Sequence, residues 1–375
     1  MRICHVIESG GGSGQVVVDL TRAALAAGDE VTVIYAPGRA SPAFVEALSS
    51  MSGLKLIALP MRREVGMHDM WHAWRLYRCL RRNGPFDVIH AHSSKAGALV
   101  RIIGVLLPGA IKVYMPHALI TLDPKAPRHY GRIEKILSWF GDGVLALSIT
   151  EEEHATKELG INKRKVFVVP NGIRIEYPAD RATARHQMGY LEKDILVGFV
   201  GRFVPQKNPV RLIEAFALAI KAQPDLQLAM VGDGPLQFEI ERETAKHGLV
   251  DKIRFFKGKT GRDLMPGFDC LVCSSDYEGF AIIFLEALAA GVPIVTTPVG
   301  GSHETVVQGQ TGYMTADFTP ESLAKALLQL TTSDVETRQR MSKNARDYVQ
   351  QFETGAVMAK MRALYQRLID RKTAS

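Results

Sequence analysis

Residues 268–304 read FDCLVCSSDYEGFAIIFLEALAAGVPIVTTPVGGSHE. The apolar run 268–273 predicts a buried strand, and the polar residues after it, ending in Glu278 and Gly279, predict a loop. Good helix formers fill 281–290. Gly291 and Pro293 stop that helix, and 294–297 predicts the next strand. The stretch is a strand–loop–helix–strand unit of an α/β protein, with one acid, Glu278, in the loop and a second, Glu286, inside the helix.

That placement has chemical content. Eight residues of one helix would separate two carboxylates by roughly 12 Å along the axis, but Glu278 precedes Gly279 and belongs to the loop. Loops at the carboxyl ends of strands are where open α/β sheets bind ligands. A helix starting there offers free N–H groups and the positive end of its dipole, which suits a phosphate. Glu278 is then placed to accept from a ligand's hydroxyls, and Glu286 from a second set. The alternative, two solvated glutamates on an amphipathic helix, fits less well. Ile282, Ile283, Phe284, Leu285 and Leu288 make the helix apolar nearly all round, and a carboxylate on such a helix needs a partner.

The ordered set is Glu278, seven residues, Glu286, then Gly291-Val292-Pro293 and Gly300-Gly301. It resembles the hallmark of the retaining glycosyltransferases of family 4, which include sucrose synthases and bacterial mannosyltransferases. That family usually has Gly-Gly-x-Pro-Glu where this chain has Gly300-Gly301-Ser302-His303-Glu304. The resemblance covers nearly the whole chain and is most specific over 196–312. It implies a GT-B fold: two Rossmann-like α/β/α domains facing across a cleft. It also implies transfer of a sugar from a nucleotide-diphosphate sugar with retention of anomeric configuration.

With 375 residues the chain has material for two to three domains. Hydrophobic content of 46% and charged content of 23% are those of an ordinary soluble globular protein. The net charge of +7 suits anionic partners. The cations are spread along the chain outside one helix, so a mildly basic enzyme is the plainer reading and no nucleic-acid partner is expected. Cys270 and Cys273 stand three apart on a strand, point to opposite faces and do not share a metal. With Cys4 and Cys79 they are read as reduced, buried thiols of a cytoplasmic protein. The start, MRICHVIESGGG, turns polar too soon for a signal peptide. The longest apolar run, 102–111, holds Gly and Pro and is about half a membrane span.

The first half opens with a strand at 2–7, a glycine-rich turn, a helix at 15–27 and a strand at 31–35. No Gly-x-Gly-x-x-Gly register exists here, because Gln15 and Val17 fall where the last Gly is required, and no acid closes the second strand for a ribose. In the resembled family a Gly-Gly turn stands at this place, matched by Gly11-Gly12. A third strand covers 54–59. The helix 68–82 sets Trp71 and Trp74 beside Arg75, Arg78 and Arg82. Either this face lies on an anionic membrane, or Trp71, Trp74 and Leu76 pack on the sheet and the arginines are solvated. Relatives with lipid-linked acceptors often attach through such a surface. The strand 86–92 ends in His90 and His92 on one face. No third metal ligand is evident, so His90 is read as a satisfied core histidine, and His92 with Ser93 as polar lining on the acceptor side. His117 follows the strand 112–116, and the resemblance implies that it faces the donor sugar. The family commonly has Gly after that His, where this chain has Ala118. Residues 119–130 read as a loop near the acceptor. A strand at 143–148 leads to a helix capped by Thr150 with Glu153 three residues on. The strand 166–170 and the turn Pro170-Asn171-Gly172 close the first domain, 1–173.

Residues 174–193 are polar and read as a linker, and 194–352 as the second domain. After the strand 195–200, Arg202 and Lys207 flank a turn, as a clamp for a diphosphate requires. The resembled family has Gly-Arg, four residues, Lys. The strand 226–231 runs into Gly232-Asp233-Gly234-Pro235. Gly258-Lys259-Thr260 is no phosphate loop of the Walker type, since Ile253 stands where its first Gly belongs. The resemblance implies that backbone at Gly258 lies by the nucleotide base. A helix at about 353–375 is expected to pack back on the first domain.

The resulting expectation is specific. Arg202, Lys207 and the helix start at Gly279, Phe280, Ala281 and Ile282 neutralise the diphosphate. Glu286 holds the ribose, Glu278 holds the transferred sugar, and His117 supports that sugar. His117, Glu278, Arg202 and Lys207 form the catalytic set, with no metal and no cofactor besides the UDP- or GDP-linked co-substrate. The acceptor is a saccharide or lipid-linked saccharide of exopolysaccharide or lipopolysaccharide synthesis. The protein is cytoplasmic, with attachment to the inner face of the cell membrane left open. A non-catalytic nucleotide-sugar-binding subunit, or an epimerase on the same fold, stays an alternative.

Overall fold

The computed structural model describes residues 1–8, 12–62, 66–176 and 179–374. The chain forms two compact units, 1–174 with 352–375, and 175–351. The first holds seven strands: β1 (Arg2–Ile7), β2 (Glu30–Tyr35), β3 (Lys55–Ala58), β4 (Val88–His92), β5 (Ile111–Met115), β6 (Gly143–Ala146) and β7 (Val166–Val168). The second holds six: β8 (Ile195–Val200), β9 (Leu226–Val231), β10 (Ile253–Phe256), β11 (Cys270–Cys273), β12 (Ile294–Thr296) and β13 (Gly312–Met314). Every pairing is parallel. The near-continuous apolar runs of the central strands require this, because helices cover both faces of a parallel sheet.

Sheet order is what positions the sites. It runs β3-β2-β1-β4-β5-β6-β7 in the first unit and β10-β9-β8-β11-β12-β13 in the second. The order reverses between β1 and β4, and again between β8 and β11. At such a reversal the two flanking loops diverge and leave a crevice at the strands' carboxyl ends. In the second unit the sheet is packed tightly behind its crevice. A Cβ on Gly198 of β8 would lie 2.1 Å from the Phe268 ring, so only glycine fits there.

The final helix, Thr354–Thr373, belongs to the first unit. Its Tyr365 hydroxyl lies 2.7 Å from His90 Nδ1, and its Arg362 pairs with the buried Asp29. This ties the chain's last turns to the middle of the first sheet.

Several expectations are corrected. Within the stretch read as a linker lies the helix Arg181–Met188, capped by Asp180 and closed by left-handed Gly189. The second unit accordingly begins at Ile175 and not at 194. The helix is anchored by charge. Buried Arg185 donates to Asp269 Oδ2 at 2.7 Å and to the carbonyl oxygen of Gly267 at 3.0 Å, so its composition resembles that of a linker. The helix Ile149–Glu153 is capped by Ser148 and not by Thr150. In the helix His68–Asn83, His72, Leu76 and Leu80 are buried. Trp71 and Trp74 do not pack on the sheet. They stack on each other at 4.8 Å on the surface, with Arg78 over Trp74 at 4.6 Å. Cys4, Cys270 and Cys273 are buried free thiols, whereas Cys79 is half-buried. Among the described residues no helix is long and apolar enough to cross a membrane.

Candidate functional site

In the second unit the loops after β8 and β11 are laced together. Asp276 N–H donates to the Gln206 carbonyl at 2.8 Å, and Ser274 Oγ donates to the Lys207 carbonyl at 2.9 Å. Arg211 Nη2 donates to Asp276 Oδ1 at 2.6 Å and Nη1 to the Ser274 carbonyl at 2.8 Å. The lacing holds Lys207 Nζ 2.6 Å from Glu278 Oε1, which also accepts from Ser275 Oγ at 2.7 Å. Glu278 is 8% exposed. Burial pulls the Lys207 ammonium down, but the Glu278 carboxylate outweighs it and leaves Lys207 above the ordinary lysine value. Arg202 is exposed and its guanidinium makes no ion pair among the described residues. Its loop is clasped by the turn after β9: Phe203 N–H donates to the Asp233 carbonyl at 2.7 Å, and Leu236 N–H to the Phe203 carbonyl at 3.0 Å. Gly232 takes φ +143° with no room for a Cβ, which would lie 2.0 Å from the Gly201 oxygen.

Behind Glu278 stands the Gly-Gly turn. A Cβ on Gly300 would meet the Glu278 and Gly279 carbonyl oxygens at 2.2 and 2.4 Å. Gly300 is therefore the surface on which the Glu278 loop rests. Phe280 and Ala281 are buried, and the helix Ile282–Ala290 begins at Ala281 with no side-chain cap, a kind of start that suits an anion. Glu286 is half-buried on this helix. Burial raises its carboxyl, with Arg262 opposing. Gly258 follows β10, two strands from β8, with φ +69° and open space around it. Arg202, Lys207, Glu278, Gly279, Phe280, Ala281, Ile282 and Glu286 thus follow the two strands that flank the reversal. Ser275, Asp276, Gln206 and Arg211, which hold them, carry no sequence signal beyond polar character, whereas the Gly232–Gly234 turn is visible as a glycine turn after β9.

The first unit's reversal carries its own cluster. Glu8, after β1, accepts from Ser93 Oγ at 3.2 Å and pairs with Arg39. Gly12 is the first residue of the helix Gly12–Ala26, and Gly11 lies outside the described residues. Ser93, expected on the acceptor side, is part-exposed with φ +79°. His92, expected to line that side, is fully buried: its Nε2 lies 3.0 Å from His5 Nδ1 and its Nδ1 2.9 Å from His117 Nε2. A side chain with no surface and both nitrogens engaged does not touch an acceptor. His90 is only half satisfied, since its Nε2 has no partner among the described residues.

His117 is part-exposed at the end of β5. It and Ala118 take φ of +61° and +143°. The second value lies in a region that glycine alone occupies freely, which accounts for the Gly expected at that position. The turn is held by Glu151, missed as a site element although Ser148-x-x-Glu151 is a capping pattern. Its carboxylate accepts from Leu119 N–H at 2.7 Å and Leu147 N–H at 2.8 Å, and burial pushes it up to about 7. Ala118→Gly is expected to relieve about 1 kcal/mol of strain, net of the entropy that glycine adds to the unfolded chain. Urea unfolding of both proteins checks this. A less stable glycine variant would show that Ala118 is not strained.

Comparison with known proteins agrees with this geometry. Residues 180–348 match the family described as glycosyl transferases group 1, and residues 10–177 match glycosyltransferase family 4. The chain is 30% identical over 374 residues to D-inositol 3-phosphate glycosyltransferase of Kribbella flavida, covering 91% of this chain and 87% of that one. It is 27% identical to an Escherichia coli UDP-Gal:alpha-D-GlcNAc-diphosphoundecaprenol alpha-1,3-galactosyltransferase, covering 75% of each. Anabaena HepE, solved with UDP and glucose, superposes with a TM-score of 0.82 at 22% identity over 98% of this chain and 100% of that one. The chain belongs to glycosyltransferase family 4, and its two parallel-sheet units are those of the GT-B fold.

Proposed function

We propose that the protein transfers a sugar from a UDP- or GDP-sugar to an acceptor with retention of anomeric configuration and without a metal cofactor. One observation carries the reading: Lys207 and Glu278 are held 2.6 Å apart beside exposed Arg202 and the uncapped start of the helix Ile282–Ala290. The donor's diphosphate takes its neutralising charge from Arg202, Lys207 and the helix N–H groups. Phosphate oxygens compete with Glu278 for the Lys207 ammonium, which leaves the carboxylate to accept from the sugar's hydroxyls. Glu286 accepts from the ribose, Gly258 lies by the base, and His117 contacts the transferred sugar. A nucleoside diphosphate is already a good leaving group, so charge stabilisation and positioning supply most of the rate. The acceptor attacks the face from which the diphosphate departs.

Uridine is favoured as the base, since a curated relative is named for UDP-Gal and HepE was solved with UDP-glucose. The acceptor we infer is a phosphate-bearing or lipid-linked saccharide of surface-polysaccharide synthesis. The relatives' names carry an inositol phosphate and a diphospho-lipid sugar, and the net charge here is +7. A cytoplasmic enzyme working on such an acceptor would meet the inner face of the membrane. Met67, Met70, Trp71 and Trp74 are exposed at 88, 75, 57 and 44% beside Arg75, Arg78 and Arg82, a composition suited to an anionic interface.

Glu286→Gln is expected to weaken UDP binding about ten- to a hundredfold by calorimetry, as loss of a charged acceptor to hydroxyls does. Unchanged affinity would remove Glu286 from the ribose. Proton NMR of the product, or of slow donor hydrolysis, should show the donor's anomeric configuration first. An inverted first product contradicts retention, and an epimerised nucleotide sugar replaces transfer altogether. In sedimentation with phosphatidylglycerol vesicles, Trp71→Ala/Trp74→Ala should lose most of the bound fraction. Wild-type protein that stays in the supernatant would rule the membrane face out.

A further inference from the structure

His5, His92 and His117 form a chain of hydrogen-bonded rings running from the buried first sheet to the part-exposed end of β5. His5 Nδ1 is 3.0 Å from His92 Nε2, and His92 Nδ1 is 2.9 Å from His117 Nε2. His5 and His92 have no exposed surface. Burial lowers all three rings below the ordinary histidine value, His5 to about 4. Each ring is therefore neutral at pH 7 and carries one N–H.

Three neutral rings joined by two hydrogen bonds have only two consistent arrangements. In one, His5 Nδ1–H donates to His92, His92 Nδ1–H donates to His117, and His117 carries its proton on Nδ1. In the other all three protons shift, so that His117 Nδ1 is a bare acceptor and His5 carries its proton on Nε2. His5 Nε2 is buried and has no hydrogen-bond partner among the described residues. The second arrangement thus buries an orphaned N–H, and the first leaves only an unused lone pair there. Orphaned buried donors are the rarer and costlier of the two.

We infer that His5 and His92 are positioning residues that lock His117 in the Nδ1–H tautomer, so that it meets its ligand as a hydrogen-bond donor. The chain ends at His5, so it orients His117 and does not carry a proton away. His5, His90 and His92 also lie close enough to hold a cation. A divalent ion there would need a lone pair of His92, whose two nitrogens already face His5 and His117, so it would break one link of the chain. The hydrogen-bonded relay already uses both His92 nitrogens, and metal analysis separates the two readings. The effect on transfer rests on the reading of His117 as a sugar contact; the tautomer itself does not.

Long-range proton–nitrogen correlation NMR on the full chain with 15N-labelled histidine reads each tautomer directly. The expected wild-type result is His117 protonated on Nδ1. Protonation on Nε2 overturns the inference, as does stoichiometric zinc in metal analysis of the purified protein. In His5→Phe the His117 signal should become a mixture of tautomers and kcat should fall roughly tenfold, as the loss of one oriented hydrogen bond implies, with UDP affinity unchanged. His5→Gln, whose amide N–H can donate to His92, should restore part of both. A His117 signal unmoved in folded His5→Phe reduces His5 to a packing residue and overturns the relay. If the tautomers behave as expected while His117→Ala retains full kcat, the assignment of His117 to the sugar fails and the relay stands.

Discussion

Two opposite charges held 2.6 Å apart at the rim of a parallel sheet set the requirements for the second unit. Glu278 is nearly buried and Lys207 is only partly exposed. Removing one partner from a fully buried pair costs about 3–5 kcal/mol, and partial exposure puts this pair at the low end. Such a pair persists only if the loops carrying it do not separate. The hydrogen bonds across 204–211 and 274–278 serve that end, and so do Gly232 and Gly300, where backbone lies against backbone with no space for a Cβ. Gly300 of the motif is thus the contact surface that fixes the position of a carboxylate.

The same topology recurs in the first unit with different chemistry. There the reversal between β1 and β4 gathers Glu8, Ser93 and Arg39, and the neighbouring β5 presents His117. Charge dominates the second unit's crevice, while uncharged imidazoles and strained backbone dominate here. Ser93, His117 and Ala118 all have positive φ. Strain of this kind survives only where surrounding bonds enforce it, and Glu151, with its two backbone N–H donors, supplies part of that enforcement.

Much of this was legible in the sequence because the chemistry sits on local patterns. Glu278, Glu286 and the Gly-Gly turn lie within one strand–loop–helix–strand unit, so spacing alone placed them after β11. Arg202 and Lys207 were legible for the same reason, as a turn directly following β8. What spacing does not carry is contact between distant segments. His5 and His92 are 87 residues apart and meet only because β1 and β4 are paired. A polar residue at a strand end was therefore read as lining when it is the buried middle of a chain of rings. The helix Arg181–Met188 was missed because it is anchored by Arg185 and Asp269 across more than eighty residues. A window of sequence shows charge there and not burial. Trp71 and Trp74 fitted two readings, a surface face or packing on the sheet, because large aromatic side chains are usually buried; here they face solvent.

The central claim is that Glu278 holds Lys207 for a diphosphate and does not merely brace two loops. Calorimetric titration of UDP into wild type, Lys207→Met, Glu278→Gln and the double variant tests it most directly. Loss of Lys207 should weaken UDP at least tenfold, about 1.4 kcal/mol. Loss of the carboxylate's charge should leave affinity for bare UDP unchanged or raised, because the ammonium is then free for phosphate. If Glu278→Gln weakens UDP as much as Lys207→Met does, the pair is a structural brace and the account is contradicted.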